Sequence, residues 1–159
     1  MKVSTRGRYA TCALICLAEE YGKGPVSLKR ISQDQLISMK YLENIMRLFI
    51  NAGIVMSVKG KSGGFILAKD PKDIKMGDVV NVAEGVVMPV HCIADSSKCP
   101  RVLTCPAKFM WKDLQDGIFA HLNSRTLNDL VNMKKQLAAE KGIKNPGVPP
   151  LKGKKKAGK

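Results

Sequence analysis

Residues 37–67 read ISMKYLENIMRLFINAGIVMSVKGKSGGFIL, and the fold turns on this stretch. Ser38 stands where a helix N-cap belongs, directly before an apolar-periodic run. Leu42, Ile45, Met46, Phe49 and Ile50 recur at helical spacing and mark one buried face. Lys40, Tyr41, Glu43, Asn44 and Arg47 fall largely on the other face. Gly53 ends the helix as a C′ residue does. Ile54–Gly60 then reads as a strand, Lys61–Gly64 as a glycine turn and Phe65–Lys69 as a second strand. Upstream, Leu28–Asp34 is a short helix, capped by Ser27 and joined to the long one by a tight Leu36–Ile37 connection. Helix, turn, helix and a basic-tipped hairpin make a winged helix-turn-helix, a DNA-reading unit.

Charge supports that reading. The chain of 159 residues carries 27 Lys+Arg against 13 Asp+Glu, a net +14. Residues 1–80 hold 13 basic and seven acidic side chains, and residues 141–159 hold seven Lys and no acidic side chain. Residues 81–140 are nearly neutral. The excess therefore lies on the reading unit and the tail, as expected of a polyanion binder. A lysine-rich tail that only solubilises is the alternative for residues 141–159. The apolar run Ala10–Ala18 is too short to span a bilayer and has no small-residue cleavage site, so the expected location is the cytoplasm, with no membrane partner. In a reducing compartment five cysteines point to metal binding or redox sensing rather than disulfides.

Along the chain, Ser4 to about Tyr21 is a first helix, with Tyr9, Ala13, Leu14, Leu17 and Ala18 on its apolar stripe. Cys12 and Cys16 lie on it and read as core thiols rather than ligands. Gly22-Lys23-Gly24-Pro25 breaks it. After the hairpin, Ile74–Ala83 is helical and Glu84-Gly85 closes it. Val86–Pro106 has no strong periodicity and reads as a loop. Lys108 to about Leu122 is a helix with Trp111, Leu114, Ile118, Phe119 and Leu122 on one stripe. So small a domain cannot cover Trp111 and Phe119, and a second copy of the chain is the simplest cover. Thr126 with Asp129 forms a capping box that opens a last helix to about Glu140. From Gly142 the composition is mostly Gly, Pro and Lys, and a disordered tail is expected. The expected division is a DNA-binding domain at 1–85, a cysteine-bearing loop at 86–107, dimerisation helices at 108–140 and a basic tail at 141–159.

Cys92, Cys99 and Cys105 are spaced C-x6-C-x5-C. Three soft ligands on one wide loop, stiffened by Pro100 and Pro106, suit a thiophilic metal or an iron–sulfur cluster. Zinc sites usually use closer pairs. By spacing alone, an iron–sulfur cluster, zinc, thiol redox sensing and inert cysteines stand open in that order. Gly60-Lys61-Ser62-Gly63-Gly64 lacks the full phosphate-loop spacing. No Ser/His/Asp or paired-carboxylate arrangement stands out, so no enzyme is expected.

Several motifs together resemble the Rrf-two family of bacterial transcription regulators, closest in pattern to its iron–sulfur cluster regulator branch. They are Ser4-Thr5-Arg6-Gly7-Arg8-Tyr9-Ala10, Gly24-Pro25-Val26, Ile37-Ser38 with Lys40-Tyr41-Leu42-Glu43, Val58-Lys59-Gly60 with Gly63-Gly64-Phe65, Gly77-Asp78-Val79-Val80, the cysteine loop, and Trp111 with Leu127. The likeness covers about residues 1–135; the basic tail lies outside it. It implies a homodimer that binds double-stranded DNA at a palindromic operator, mainly α with a small β-hairpin wing, whose long helix 108–122 crosses its mate. The expected DNA-binding set is Thr5, Arg6, Ser38, Lys40, Tyr41, Glu43, Arg47, Lys59, Lys61, Ser62 and Gly63. The resemblance also implies a 2Fe–2S cluster on Cys92, Cys99 and Cys105, completed in that branch by a histidine three residues past the third cysteine. Here that position is Lys108, and a protonated amine has no lone pair to give. In the nitric-oxide-sensing branch an acidic residue near the N-terminus completes the set, and here Arg8 stands there. The fourth ligand is left open between His91, a carboxylate such as Asp95, a group from the other subunit's first helix and an exogenous thiol.

Three functions compete: a regulator whose operator binding is controlled by the cluster, a cluster-free repressor of the same fold controlled by a protein partner or thiol oxidation, and an accessory of metal trafficking or cluster assembly. A cluster donor or regulatory protein is a further partner under these readings. The basic wing argues against the accessory role, which needs no DNA-reading surface.

Overall fold

The computed structural model describes residues 3–86, 88–90, 93, 101 and 104–142. Among them run α1 (Thr5–Glu19), α2 (Leu28–Gln35), α3 (Met39–Asn51), β1 (Val55–Val58), β2 (Gly64–Leu67), α4 (Met76–Glu84), α5 (Pro106–Asn123) and α6 (Leu127–Glu140).

The caps expected at Ser27, Ser38, Gly53 and Thr126 form, and Ser4, expected as the first helical residue, is a cap as well. The Ser4 hydroxyl accepts from the amides of Arg6 and Gly7 and starts α1. Ser27 accepts from the Arg30 amide and starts α2, and Ser38 accepts from the Tyr41 amide at 3.4 Å and starts α3. Gly53 follows α3 with φ 67°, the left-handed conformation that glycine adopts at no steric cost. Thr126 and Asp129 form the reciprocal capping box at the head of α6.

Several boundaries differ from the expected ones; α1 ends at Glu19 and α2 at Gln35. The helix expected from Ile74 begins at Met76, because Ile74 and Lys75 are extended: the Leu127 amide donates to Ile74 O and the Met76 amide to Arg125 O. The helix expected from Lys108 begins at Pro106, whose fixed φ and missing amide suit the first helical position. The wing strands are shorter than expected and register Val55 with Leu67 through Val58 with Gly64, which leaves residues 59–63 as the tip. Phe65 also exchanges backbone hydrogen bonds with Val26, so the wing is tied to the segment before α2.

The tight connection between α2 and α3 runs through Leu36, at φ 55° and ψ 41°. A side chain in that region costs about 1–2 kcal/mol. The turn is held all the same: the Ser32 hydroxyl donates to Ile37 O at 2.6 Å, and the Ile37 amide donates to Ser32 O.

One apolar core gathers Leu14 and Leu17 of α1, Ile31 of α2, Leu42, Ile45, Met46 and Phe49 of α3, Leu67 of β2, Val79 of α4 and Leu127 and Val131 of α6. The expected α3 face is thus buried, apart from a half-buried Ile50. A Lys134–Glu19 ion pair at 2.8 Å adds a polar tie between α6 and α1. The stripe of α5 is different. Gln115 is its one fully buried residue, while Phe109, Met110 and Leu114 are exposed and Trp111, Ile118 and Phe119 are half-buried. No helix among the described residues is long and apolar enough to cross a membrane. The expected disordered tail lies outside the described residues, apart from Lys141 and Gly142.

Candidate nucleic-acid interface and cysteine loop

The exposed side of α3 carries Met39, Lys40, Glu43, Asn44, Arg47 and Asn51. The opposite side of the same helix is locked into the core by Leu42, Ile45, Met46 and Phe49, so the polar side faces solvent rigidly. Among the described residues no ion pair joins Glu43 to Arg47, and the Glu43 carboxylate is open to an incoming donor. Ser38 is exposed at the N-cap. Tyr41 is only half-exposed: its ring meets Tyr9 edge-on, with centroids 5.9 Å apart and planes at 85°. The Arg8 guanidinium lies 5.3 Å from the centre of the Tyr9 ring. This Arg8–Tyr9–Tyr41 stack sets the beginning of α1 beside the beginning of α3, although the two are more than thirty residues apart in sequence.

Thr5 and Arg6 are exposed on the first turn of α1. Lys59, Lys61 and Ser62 are exposed at the wing tip, with Gly63 half-buried beneath them. The expected set therefore falls on three pieces: the first turn of α1, the solvent face of α3 and the tip of the wing. All three are anchored to one core. Their charged members are Arg6, Lys40, Arg47, Lys59 and Lys61 against a single acid, Glu43, as a phosphate backbone requires.

Sequence reasoning passed over two residues here. Met39, 50% exposed, is an apolar side chain on the polar face of α3. Exposure on that face was its signal. Glu84 bonds across to α1 and has no local signal at all.

Of the cysteine set, Cys105 is described and Cys92 and Cys99 lie outside the described residues, as do His91 and Asp95. Cys105 is a free, half-buried thiol at the N-cap of α5, and it makes no capping hydrogen bond through its sulfur. Lys108 is half-buried one turn on, and its amide donates to Cys105 O at 3.3 Å. Among the described residues no three His, Cys, Asp or Glu side chains converge. The other two thiols belong to α1. Cys16 is 3% exposed with its sulfur 3.9 Å from Asp34 Oδ2, and burial followed by the Asp34 charge pushes its thiol up to about 11. Cys12 is half-buried on the same helix. Both fit core packing better than ligation, which needs a thiolate.

A helix-turn-helix with a basic wing, followed by a helix whose apolar stripe is partly exposed among the described residues, defines a winged-helix DNA-binding regulator. The sequence model of the Rrf2 family, described as an iron-dependent transcriptional regulator, matches residues 3–133, and the chain belongs to this family. Protein rrf2 of Nitratidesulfovibrio vulgaris is 40% identical over 131 residues, 82% of this chain and 87% of that protein. The HTH-type transcriptional regulator CymR of Bacillus subtilis is 39% identical over 132 residues, 83% of this chain and 91% of that one. The solved structure of T. potens IscR is 38% identical, covers 86% of this chain and 90% of its own, and superposes with a TM-score of 0.72. The protein is thus a transcription regulator of a class that binds DNA and is typically dimeric, and not an enzyme.

Proposed function

We propose that the protein is a homodimeric repressor-type regulator that reads a palindromic operator with α3 and the wing, and whose operator binding is controlled by an iron–sulfur cluster on Cys92, Cys99 and Cys105. The division of labour follows the expected one: residues 1–85 read DNA, 86–107 hold the cluster, 108–140 join the subunits, and the basic tail adds charge. The observation that carries the cluster reading is the thiol of Cys105. It makes no bond among the described residues and sits at the N-cap of α5, at the end of the segment whose sequence also carries two more cysteines. Three soft donors between the reading unit and the subunit-joining helix fit a 2Fe–2S cluster in chemistry. When bound, the cluster supplies a redox- and iron-responsive crosslink of that loop. The thiols must be deprotonated to hold it, and Lys108 cannot complete the set while protonated. Protein purified without oxygen should be coloured and should contain iron and acid-labile sulfide. A colourless, iron-free protein that still binds its operator would favour the second reading, a cluster-free repressor controlled by a partner or by thiol oxidation. Lys108 and the CymR likeness support that reading.

Two consequences concern the DNA contacts. Glu43 lies in the part of the recognition helix that reaches base edges and can accept from a cytosine amino group. Glu43→Ala is expected to relax preference at one base position by about 1–3 kcal/mol while total affinity changes less, because an acid leaves a polyanion interface. Selection from a random duplex library by both proteins checks this. A uniform loss of affinity across all sequences would count against base reading.

Lys59 and Lys61 should meet phosphate. Replacing both with Ala should weaken binding to all duplexes and flatten the slope of log affinity against log salt by about one to two units. Anisotropy titrations at several salt concentrations give that slope, and an unchanged value would place the wing away from the backbone.

A further inference from the structure

The N-terminus of α1 is held from the far end of the reading unit. The Ser4 amide, the Ser4 hydroxyl and the Gly7 amide all donate to one oxygen, Oε1 of Glu84, at 3.2, 2.7 and 2.8 Å. Glu84 is the last residue of α4, and the chain turns away at Gly85 toward the cysteine-bearing segment. The bonds span 77 to 80 residues of sequence. Ser4 also accepts from the amides of Arg6 and Gly7, so the carboxylate orients the residue that caps α1. On the other flank, the Arg8–Tyr9–Tyr41 stack ties the same helix to α3. Thr5, Arg6 and Arg8 of this turn are exposed, and of these Arg8 is engaged by the Tyr9 ring while Thr5 and Arg6 stand outside the clasp. With Ser4 N, Ser4 Oγ and Gly7 N committed inside the chain, contact with a phosphate falls to the Thr5 and Arg6 side chains.

We propose that Glu84 is a positioning residue for DNA binding, which fixes the first turn of α1 so that Thr5 and Arg6 meet the DNA backbone. The inference rests on the DNA-reading assignment made above. Its consequence has a sign that charge alone would reverse. Removing an acid from a basic head should strengthen binding to a polyanion, whereas releasing a positioned arginine should weaken it.

The test is an anisotropy titration of the full chain with a duplex recovered from a random library by the wild-type protein, repeated over a range of salt. Glu84→Ala should weaken binding roughly threefold to tenfold and lower the salt slope by about one unit, the loss of one phosphate contact. Gly7→Ala gives an independent variant. A Cβ there collides with Glu84 Oε1 and expels the carboxylate while the charge stays and helix propensity improves. It should show the same loss. Glu84→Gln keeps an acceptor oxygen at the same reach and should recover most of the affinity. In an Arg6→Ala background Glu84→Ala should cost little more, because both changes remove one contact. Tighter or unchanged binding by Glu84→Ala with an unchanged slope, or losses that add fully with Arg6→Ala, would overturn the positioning role. A wild-type protein that selects no duplex would take down the DNA-reading assignment itself, and this inference with it.

Discussion

Leu114→Asp is expected to make the protein monomeric and to weaken operator binding by at least about a hundredfold. Leu114 lies in the middle of α5 and is 47% exposed in the single chain. An aspartate there meets water in the monomer, so the fold should survive. In a two-fold dimer each copy would bury that carboxylate against its mate, and the cost is incurred twice by symmetry. Among the described residues the stripe around it is only partly covered: Phe109 is 68% exposed, Met110 is exposed, and Trp111, Ile118 and Phe119 are half-buried. A patch of that chemistry marks an interface rather than a solvated face. The loss of affinity follows because two linked heads bind two half-sites, about one helical turn apart, far more tightly than one head binds one. Sedimentation gives the mass, circular dichroism checks the fold, and anisotropy gives the affinity. A folded variant that remains a dimer would remove α5 from the interface.

Changing any one of Cys92, Cys99 and Cys105 to Ala is expected to abolish iron and acid-labile sulfide while the fold remains. The proposed donor set is three thiolates, so each loss would leave two. Operator affinity or site choice should shift by about five- to 150-fold between the loaded and stripped forms, the usual range for coupled sites. The coupling is reciprocal: if the operator-bound form prefers the cluster, adding operator must tighten cluster binding at equilibrium by the same free energy. Cys12→Ala and Cys16→Ala serve as controls and should keep full colour. Cys16 is walled into the core with its proton held tightly by burial and by Asp34, and it offers no thiolate. A Cys92, Cys99 or Cys105 variant with full iron, or a triple variant that binds every operator like wild type, would leave the partner-controlled repressor as the remaining reading.

The local elements were legible in the sequence because their causes are local. Ser4, Ser27, Ser38 and Thr126 cap helices through atoms two or three residues away, and the apolar spacing from Leu42 to Phe49 fixes which side of α3 is buried and which is exposed. The basic tip of the wing follows from a glycine turn between two short strands. These features, with the family motifs, were enough to define a winged-helix regulator. Tertiary structure decided what depends on distant partners. Leu36 adopts a left-handed conformation that nothing in its own identity favours, because Ser32 and the packing of α2 on α3 hold the turn. Tyr41 is drawn half out of the polar face by Tyr9. Two consecutive amphipathic helices meet different fates: α6 buries Leu127 and Val131 in the core of the reading unit, while among the described residues α5 leaves Phe109, Met110 and Leu114 exposed and Trp111, Ile118 and Phe119 half-buried. Periodicity reports that a face is apolar, and only the packing of the whole chain decides whether that chain or another covers it. Glu84 is the plainest case, since its carboxylate gains its role from Ser4 and Gly7 at the opposite end of the reading unit, where no local pattern reaches.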